Sequence, residues 1–460
     1  MESLQLSQIA SLLDGKLHGA DAFCNGVSTD SRHLKPGDLF IALRGPNFDG
    51  HAFIPMAVTR GARGALVERI VEAGLSQVQV ADTRLALGQL GASMRDNFSG
   101  PLIAVTGSNG KTTVKEMIAA ILRASGLPVL ATRGNLNNDI GLPLMLLELC
   151  PEHAFAVIEM GANHAGEIAY LTRLAQPSIA LITNAGPAHL EGFGDLDGVA
   201  RAKGEIFQGL GTTGVAVINR DDEYADYWRQ LNAGRQVIEF GLTHSAQVTG
   251  EVLDAQNNRF RLHLAGESQD IDLPLAGQHN VCNALAAAAT ASAAGISLDQ
   301  IAQGLQSVAG VNGRLRRVPG PRGSVIIDDT YNANPASLSA ALAAFTGSAG
   351  VRWLVLGDMA ELGPQTEILH ERAGIQTREA GFRRLFTLGK HSRRAAAAFG
   401  PNSEHFADVQ SLVEALSQAL TTSDVAPTIL IKGSRSMAME RVVQALALQQ
   451  PGCKVQEGRF

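Results

Sequence analysis

The stretch Thr106-Gly107-Ser108-Asn109-Gly110-Lys111-Thr112-Thr113 decides the fold of this chain. An apolar run at 102–105 precedes it as a strand, and a helical pattern follows it to about Ser125. Glycines let backbone N–H groups turn inward, and the amino end of the helix adds positive potential. Lys111 can then reach the terminal phosphates of ATP while a threonine hydroxyl ligates Mg²⁺. The stretch therefore predicts a phosphate-binding loop formed by residues 107–113.

One position departs from the common phosphate-loop pattern G-x-x-x-x-G-K-[ST], because Val105 stands where the first glycine is expected. This difference reduces the number of protein families that the loop fits, but the loop can still bind phosphate. A merely structural strand-to-helix turn is the alternative, and the run Lys111-Thr112-Thr113 argues against it.

Near-continuous apolar runs alternate with helical segments through most of the chain, which is typical of parallel strands covered by helices on both faces. The runs lie at 102–106, 154–159, 179–183 and 215–219, and again at 325–328, 353–356, 385–388 and 429–431. We therefore expect an α/β fold with a central parallel sheet of the phosphate-loop ATPase kind and a second, doubly wound, Rossmann-like sheet.

Two breaks divide this pattern into domains. Residues before Phe98 alternate short apolar runs, such as 38–43, with turn residues, which indicates a small first α/β domain. The glycine- and proline-rich stretch 309–323 is the candidate hinge before a third domain. The predicted domains are 1–98, 99–312 and 313–460, since a chain of 460 residues is too long for a single core.

Composition excludes several classes of protein. A net charge of −6 and a pI near 6.1 give no general attraction for nucleic acids or anionic lipids, so we expect neither as a partner. The longest uncharged stretch, 281–298, is too weakly apolar for a membrane span. The first six residues lack the features of a signal peptide, which favours a cytoplasmic protein. Four scattered cysteines predict neither a disulfide framework nor a structural zinc site.

Polar residues follow the strands downstream of the loop. Glu159 ends one apolar run, where the carboxyl edge of a parallel sheet would face a bound nucleotide, and a carboxylate there could bind Mg²⁺. His189 follows the next run, although a lone histidine at such a place is more often an ordinary loop residue. Lys203 begins a helical segment and, on that pattern alone, is a solvated surface lysine.

Further motifs accompany the phosphate loop, namely Gly134-Asn135-Leu136-Asn137-Asn138-Asp139-Ile140-Gly141, Glu159-Met160-Gly161-Ala162-Asn163-His164, Ala188-His189-Leu190-Glu191 and Ala202-Lys203-Gly204-Glu205. Together they resemble the Mur ligase family, and the resemblance covers essentially the whole chain. Within the family, the motifs are similar to those of the ligases that add D-alanyl-D-alanine to a UDP-N-acetylmuramoyl tripeptide. The resemblance implies ATP and Mg²⁺ as cofactors and these small molecules as substrates, and we expect a monomer.

The resemblance also implies roles for the residues of the central site. Lys111 and Thr112 are expected to hold the ATP phosphates and one Mg²⁺, while Glu159 and His189 help to hold a second. Lys203 matches the lysine that family members can carbamylate, which turns a cation into a carboxylate-like group near that metal. The expected catalytic residues are therefore Lys111, His189 and Lys203.

Other matching positions are implied to bind the nucleotide and the substrates. The nucleotide is expected to meet Asn280 at its adenine, Asp329 at its ribose, and Arg314 and Tyr331 at positions that the resemblance does not specify further. The expected uridine-nucleotide region of the first domain includes Ser28, Thr29, Asp30, Ser31, Arg32, Asn47 and Asp49. Further substrate or phosphate contacts are expected from Asn135, Asn138, Lys432, Ser434 and Arg435.

The implied reaction is carboxylate activation, in which ATP phosphorylates the terminal carboxylate of the tripeptide and the amine of D-alanyl-D-alanine attacks the acyl phosphate. Because the loop and the ribose contact fall in different predicted domains, closure about 310–323 is expected to assemble the site. One alternative is another ligase of the family, either the tripeptide-forming enzyme or folylpolyglutamate synthetase. The other is a phosphate-loop ATPase whose nucleotide cycle drives a partner protein.

Overall fold

A computed structural model describes residues 4–187, 190–254, 258–308, 310, 313–345 and 350–447. In the first predicted domain the strands are β1 (Leu4–Gln5), β2 (Lys16–His18), β3 (Phe23–Cys24), β4 (Gly26–Ser28), β5 (Asp38–Ile41), β6 (Arg44–Gly45), β7 (Phe48–Asp49), β8 (Gly64–Val67) and β9 (Gln77–Gln79). The helices are α1 (Leu6–Leu12), α2 (Ile54–Thr59) and α3 (Thr83–Asp96), with a 3₁₀ turn at Gly50–Phe53.

The main sheet of this domain has the order β2-β9-β8-β5-β4, and its strands pair in parallel except for β2 with β9. Strands β5 and β8 are buried along their whole length, so they carry the core of the domain. The short pairs β1-β3 and β6-β7 form separate antiparallel ribbons.

The central part of the chain contains a larger sheet. Its strands are β10 (Leu102–Thr106), β11 (Val129–Ala131), β12 (Phe155–Glu159), β13 (Ile179–Ile182), β14 (Val215–Asn219), β15 (Gln236–Gly241), β16 (Val248–Asp254), β17 (Arg259–Leu264) and β18 (Glu267–Asp272). The helices are α4 (Lys111–Ala124), α5 (Gly141–Leu146), α6 (Glu167–Ala175), α7 (Leu190–Phe193), α8 (Leu196–Gly204), α9 (Ala225–Leu231), α10 (Gln278–Ala293) and α11 (Leu298–Gln306), with a 3₁₀ turn at Glu205–Gly209.

The register of this sheet places the phosphate loop. The order is β11-β12-β10-β13-β14-β15-β16-β17-β18, and the strands pair in parallel from β11 to β16. Val105 lies opposite Glu159 on β12, and Thr106 lies opposite Ile182 on β13. The loop therefore leaves β10 at the same sheet edge where Glu159 ends its strand.

Strands β16, β17 and β18 extend the sheet as an antiparallel meander that the apolar runs did not predict. Here the sequence alternates, since Phe260 and Leu262 are buried while the charged Arg259 and Arg261 lie between and beside them on the other face. Alternation of this kind is typical of an antiparallel sheet with one solvated face. Strands with this alternation are not continuous apolar runs, so the apolar runs of the sequence do not predict them.

The third part of the chain is built on one more sheet. Its strands are β19 (Arg316–Pro319), β20 (Val325–Asp329), β21 (Arg352–Gly357), β22 (Arg384–Leu388), β23 (Ser403–Phe406) and β24 (Thr428–Lys432). The helices are α12 (Pro335–Ala343), α13 (Thr366–Glu379), α14 (Arg393–Phe399), α15 (Val409–Thr422) and α16 (Glu440–Leu446), with 3₁₀ turns at Pro321–Gly323, Gly363–Gln365 and Arg435–Met437.

This sheet has the order β19-β20-β24-β21-β22-β23, in which β19 alone runs antiparallel among the described strands. Strand β19 lies inside the candidate hinge stretch 309–323, so the described part of that stretch contributes an edge to the sheet. Separate apolar clusters cover the two faces of the sheet.

The predicted α/β fold class, with two doubly wound sheets, is confirmed, because apolar clusters with helices also cover both faces of the central sheet. One cluster joins Val105 and Val157 to helices α4, α10 and α11, and the other joins Ala104 and Ile158 to α5, α6 and α8. Each of the three ranges predicted as domains holds one of the main sheets, and the boundaries at 98/99 and 312/313 stay predictions. In the described ranges, no helix combines the length and the apolar character that a bilayer crossing needs.

Candidate active site

A cavity of about 580 Å³ lies between the phosphate loop and the third domain. From the central domain it is lined by Ser108, Asn109, Gly110, Lys111, Thr113, Asn135, Asn137, Asn138, Glu159, Asn184, His279, Asn280 and Asn283, among others. From the third domain it is lined by Gly313, Arg314, Leu315, Asp329, Tyr331, Asn332, Asn334, Lys432 and four residues of α12. We call it the interdomain cavity.

Two glycines of the loop have backbone conformations that side chains rarely adopt. Gly107 has a φ of 148° and Gly110 a φ of 82°. A Cβ atom at Gly107 would collide with the Thr183 hydroxyl, and one at Gly110 would collide with the Asn283 side chain. The glycine pattern in the sequence is therefore a steric requirement of this turn.

The loop is also tied to the end of β13. The Thr183 hydroxyl donates to the Asn109 carbonyl oxygen at 2.7 Å, and the Asn109 N–H donates to Asn184 Oδ1 at 3.0 Å. The Ser108 N–H donates to the Asn184 carbonyl oxygen at 3.0 Å. Two N–H groups expected to turn inward are thus used within the protein, which leaves the first turn of α4, Lys111–Thr113, to supply N–H groups without partners inside the helix.

Lys111 lies folded back on the loop. Its Nζ donates to the carbonyl oxygens of Gly107 at 2.7 Å and Ser108 at 3.4 Å. Burial lowers the pKa of this ammonium, and the negative charge of Glu159 partly opposes that effect. The lysine is therefore held at the mouth of the loop as a cation poorly solvated by water.

Glu159 is almost fully buried, at 1% exposure, and its two carboxylate oxygens differ. Oε1 accepts a hydrogen bond from Asn137 Nδ2 at 2.8 Å, whereas Oε2 has no partner among the described residues. A buried carboxylate oxygen without a partner is costly, and it suits a hard cation. Glu159 and the Thr112 hydroxyl therefore fit Mg²⁺ in the chemistry of their donor atoms.

Two other residues, His189 and Lys203, were also expected at the metal site. His189 lies outside the described residues, and the described side chains contain no cluster of three or more His, Cys, Asp or Glu residues that could hold a metal. Lys203 is 2% exposed at the end of α8, so its interpretation as a surface lysine is wrong. Burial, with a smaller contribution from Lys111, lowers the pKa of Lys203 to about 7.

Third-domain side chains reach the loop directly. Arg314 Nη2 donates to the Thr112 hydroxyl at 3.1 Å, and its guanidinium lies 4.2 Å from the centroid of the Tyr331 ring. Asn334 Nδ2 donates to Asn109 Oδ1 at 3.0 Å. The cavity thus brings two predicted nucleotide residues, Arg314 and Tyr331, onto the phosphate loop.

Asp329 and Lys432 form a buried ion pair at the carboxyl edge of the third sheet. Lys432 Nζ lies 2.5 Å from Asp329 Oδ2 and also donates to the Asn332 carbonyl oxygen at 3.0 Å. Both residues line the interdomain cavity. The charge of Lys432 is therefore balanced inside the protein, although the sequence suggested that it would bind a phosphate or a substrate carboxylate.

Two neighbours of Lys432 make contacts inside the third domain. The Ser434 hydroxyl accepts from the Ala360 N–H at 2.7 Å and donates to the Ala333 carbonyl oxygen at 3.1 Å. Arg435 pairs with Glu440 at 2.8 Å. Neither Ser434 nor Arg435 lines the cavity, and a substrate contact for them stays a prediction.

The remaining predicted amides lie at the wall of the cavity. Asn280 Nδ2 donates to the Ala276 carbonyl oxygen at 2.7 Å at the start of α10. Asn138 accepts from the Gly141 N–H at 2.8 Å and so stabilises the start of α5, beside Asn135. His279, which the sequence analysis did not select, also lines the cavity, and burial lowers its pKa.

The predicted uridine residues lie apart from this cavity and are largely engaged with one another. Arg32 donates to Asp30 through Nε and Nη2, and these bonds hold the pKa of Asp30 well below its usual range. Ser28 donates to the Asp30 carbonyl oxygen, and Ser31 lies 3.3 Å from the sulfur of Met56. None of the predicted residues in 28–49 lines the interdomain cavity, and Thr29 and Asn47 are partly or fully exposed.

In the same region, Asp49 is bound on two sides. It accepts from His51 Nδ1 at 2.6 Å and from Arg69 Nη2 at 2.7 Å. His51 Nε2 accepts from the Glu68 N–H at 2.9 Å, which fixes the proton of this buried ring on Nδ1.

Sequence reasoning missed the amides that hold the site together. Asn137, Asn184 and Asn334 bond respectively to Glu159, to the loop backbone and to Asn109. Asn137 stands inside a motif noted above, whereas Asn184 follows β13 and Asn334 follows β20. The available signal was an asparagine after a strand end, which is also common in ordinary turns.

Three family profiles match the chain in order. They are described as "Mur ligase family, catalytic domain" at residues 24–95, "Mur ligase middle domain" at 105–291, and "Mur ligase, glutamate ligase domain" at 313–435. The matches leave short gaps between them and so follow the order of the three sheets.

Curated relatives match nearly the full length. The UDP-N-acetylmuramoyl-tripeptide--D-alanyl-D-alanine ligase of Escherichia coli (strain K12) is 45% identical, covering 97% of this chain and 99% of that protein. The protein of the same name from Bacillus subtilis (strain 168) is 36% identical, covering 92% and 93%.

Solved structures have the same architecture. A crystal structure of MurF from Acinetobacter baumannii has a TM-score of 0.90 at 39% identity, covering 96% of this chain and 98% of that one. MurF ligase from Thermotoga maritima in complex with ADP has a TM-score of 0.81 at 27% identity, covering 91% and 96%. Because profile, sequence and structure agree along almost its whole length, this chain belongs to the Mur ligase family.

Proposed function

We propose that this Mur ligase uses ATP to join D-alanyl-D-alanine to a UDP-N-acetylmuramoyl tripeptide, giving the pentapeptide precursor of peptidoglycan. The observation that carries the proposal is the interdomain cavity, in which a phosphate loop with the half-buried Lys111 meets Arg314 from the third domain. The names of the relatives that match nearly the full length identify the two substrates.

The adenine nucleotide is proposed to occupy the interdomain cavity. Residues 107–113 bind the phosphates, since glycine conformation and the first turn of α4 form a cradle of N–H groups there. Asn280, Arg314, Asp329 and Tyr331 bind the rest of the nucleotide, and all four line the cavity. The ion pair with Lys432 holds the Asp329 side chain at the wall of the cavity, where it is placed to contact the ribose.

Two Mg²⁺ ions are proposed, one held by the Thr112 hydroxyl and a second held by Glu159, His189 and, when it is carbamylated, Lys203. The unpaired Oε2 of Glu159 is the structural support for this assignment. When bound, the ions offset the negative charges that the carboxylate and the phosphates bring together.

The reaction proceeds in two steps. A carboxylate oxygen of the tripeptide attacks the γ-phosphorus of ATP, an O–P bond forms, and the bond to the bridging oxygen breaks to release ADP. The amine of D-alanyl-D-alanine then attacks the acyl carbon, a C–N bond forms, and phosphate leaves as the nitrogen loses a proton. Lys111 and the N–H groups at the start of α4 stabilise the charge on the transferred phosphoryl group.

Lys203 is proposed to carry a carbamate in the working enzyme. A pKa of about 7 leaves much of this amine neutral near physiological pH, and the neutral amine is the form that reacts with CO₂. The N–C bond that forms releases one proton and leaves a carboxylate in a buried place. Enzyme equilibrated with ¹³CO₂ is expected to show a carbamate ¹³C resonance that is missing from Lys203→Met.

The first domain is proposed to bind the uridine nucleotide through Ser28, Thr29, Asp30, Ser31, Arg32, Asn47 and Asp49, with Asn135, Asn138, Lys432, Ser434 and Arg435 contacting substrate. Movement about 310–323 is proposed to close the third domain further over the phosphate loop, which Arg314 and Asn334 already contact, so the radius of gyration should fall on saturation with nucleotide and UDP-substrate. We further propose that the protein is cytoplasmic, because ATP and nucleotide-linked precursors are supplied in the cytoplasm, and that it is a monomer.

A substrate panel tests the proposal. Purified protein with ATP and Mg²⁺ is offered UDP-muramoyl tripeptides containing meso-diaminopimelate or lysine, each with D-alanyl-D-alanine, and products are identified by mass spectrometry. We expect the pentapeptide product and phosphate release that depends on both substrates. Phosphate release without either substrate would favour a partner-driving ATPase, and product formation only from a dipeptide or folate acceptor would favour another ligase of the family.

A further inference from the structure

Lys115 is a charged side chain buried at 1% exposure, one turn into α4 and outside the phosphate loop. Its Nζ donates to the Thr132 carbonyl oxygen at 2.6 Å and pairs with Glu116 Oε1 at 2.6 Å. Burying an ammonium costs free energy, and its two close partners offset that cost. A lysine kept at this place therefore indicates a role beyond the packing of the helix.

Thr132 stands where β11 leaves the sheet. Its N–H donates to the Val157 carbonyl oxygen at 3.0 Å, which continues the parallel ladder between β11 and β12. In a regular parallel ladder, the next bond runs from the Glu159 N–H to the carbonyl oxygen of Thr132. Lys115 takes that carbonyl oxygen, and the Glu159 N–H instead donates to Thr132 Oγ1 at 2.9 Å.

Glu159 is consequently held at two points. The Thr132 hydroxyl fixes its backbone at the last residue of β12, and Asn137 fixes Oε1 of its carboxylate. Asn137 is itself fixed because its carbonyl oxygen accepts from the Gly161 N–H at 2.8 Å. Only Oε2 is left without a partner among the described residues, in a carboxylate that lines the interdomain cavity.

We propose that Thr132, oriented by Lys115, is a positioning residue that sets the Glu159 carboxylate for the metal ion of the reaction. The Glu159 N–H donates to the Thr132 hydroxyl, where a regular ladder would use the Thr132 carbonyl oxygen. The last hydrogen bond of β12 is therefore made to a side chain, and it holds the end of β12 at the point where the chain leaves β11. The inference rests on the proposed function in one respect, namely that Glu159 binds the cation.

The test compares Thr132→Val, which keeps the shape and loses the acceptor, with Thr132→Ser, which keeps the hydroxyl. Mn²⁺ is titrated into the full-length protein with adenylyl imidodiphosphate, and bound Mn²⁺ is measured by electron paramagnetic resonance. We expect Thr132→Val to weaken binding of one ion by about 10- to 100-fold, as is usual when a residue that orients a metal ligand is lost. Thr132→Ser should stay within about threefold of the parent protein, on the same reasoning.

The variant Glu159→Gln distinguishes the metal-binding role of Glu159 from the positioning role of Thr132. Equal Mn²⁺ binding by Glu159→Gln and the parent would remove the proposed metal role of Glu159. Weak binding by Glu159→Gln together with parent-like binding by Thr132→Val would overturn the positioning role alone. Should Thr132→Val fail to fold, Lys115→Met tests the same chain of contacts from its other end, and parent-like Mn²⁺ binding by that variant would equally overturn the inference.

Discussion

The carboxyl edges of the central and third sheets are both formed by parallel strands, and each places a lysine at the wall of the interdomain cavity, but the two lysines differ in their partners. At the central edge, Lys111 is half-buried, donates to the carbonyl oxygens of Gly107 and Ser108, and has no carboxylate within ion-pairing distance among the described residues. At the third edge, Lys432 lies 2.5 Å from Asp329. An ammonium without a carboxylate partner is available to bind an anion, whereas the ammonium of Lys432 is already paired inside the protein, and losing one partner would leave the other charge buried alone.

The largest expected effect is on the third edge. Lys432→Met leaves the Asp329 carboxylate buried without its partner, and breaking such a pair costs about 3–5 kcal/mol of unfolding free energy. Urea unfolding measures the loss. The double variant Asp329→Asn with Lys432→Met removes both charges and is expected to recover most of it. A single variant as stable as the double one would show that the ion pair is not what stabilises this edge.

The next effect is on the central edge. Lys111→Ala is expected to lower the rate of ligation by about 10²- to 10³-fold, as for the loss of one donor that stabilises transition-state charge. Its unfolding free energy should not fall, because the removed ammonium was poorly solvated. Phosphate release and product formation measure the rate, and Lys35→Ala, at an exposed lysine, is the matched control. If folded Lys111→Ala joins the peptides at the normal rate, the prediction that this edge binds the ATP phosphates is wrong.

A pH effect of intermediate size is expected beside the third edge, at His370. This buried ring accepts from the Met359 N–H at 2.9 Å through Nε2 and bonds to the Thr366 carbonyl oxygen at 2.7 Å through Nδ1. Burial lowers the pKa of His370 below 6.5, so the unfolded chain takes up a proton that the folded chain does not. Stability is therefore full above pH 6.5 and falls as the pH drops below it, by up to about 1.4 kcal/mol per pH unit.

Urea unfolding at a series of pH values measures this slope. His370→Gln removes the titrating ring, so the dependence of its unfolding free energy on pH should be flatter by up to one proton. Identical slopes for the parent and the variant would show that His370 does not cause the acid sensitivity.

The smallest expected effect concerns the contact that joins the two edges. Asn334→Ser loses the donor to Asn109 but keeps a side-chain oxygen for the start of α12, where Asn334 Oδ1 accepts from the Ser337 N–H at 2.8 Å. We expect the KM for ATP to rise about 2- to 10-fold, which corresponds to one hydrogen bond of about 0.5–1.5 kcal/mol. Asn334→Ala should lose about 1 kcal/mol of stability in addition, because the helix cap is also removed. An unchanged KM in Asn334→Ser would mean that the contact between the domains does not assist nucleotide binding.

The contrast between the edges also shows which features the sequence could predict. The phosphate loop was predictable because its glycines, its lysine and the strand before it are adjacent in the chain and meet local steric demands. The parallel strands were predictable because both of their faces are buried. Partners distant in sequence were not, and so the pairing of Lys432 with Asp329 and the burial of Lys203 emerged only from the folded chain.

The same limit applies to the amides. Asn137 was visible only as part of a motif, since nothing local indicates that its side chain will meet a carboxylate 22 residues later. The antiparallel strands β16 to β18 escaped for a different reason, because their alternating pattern is weaker than a continuous apolar run.

The hydrogen bond from Arg314 to the Thr112 hydroxyl has a thermodynamic consequence. A cation bound to that hydroxyl, as proposed above, would lie next to the positively charged guanidinium, so the metal–nucleotide complex would favour the molecules in which Arg314 has moved away. The observed affinity then equals the intrinsic affinity scaled down by the fraction of such molecules. Arg314 would thus compete with the cation in the absence of nucleotide and contact the nucleotide once it binds. This competition would set the fraction of sites that hold the metal–nucleotide complex, without changing the bond-forming steps.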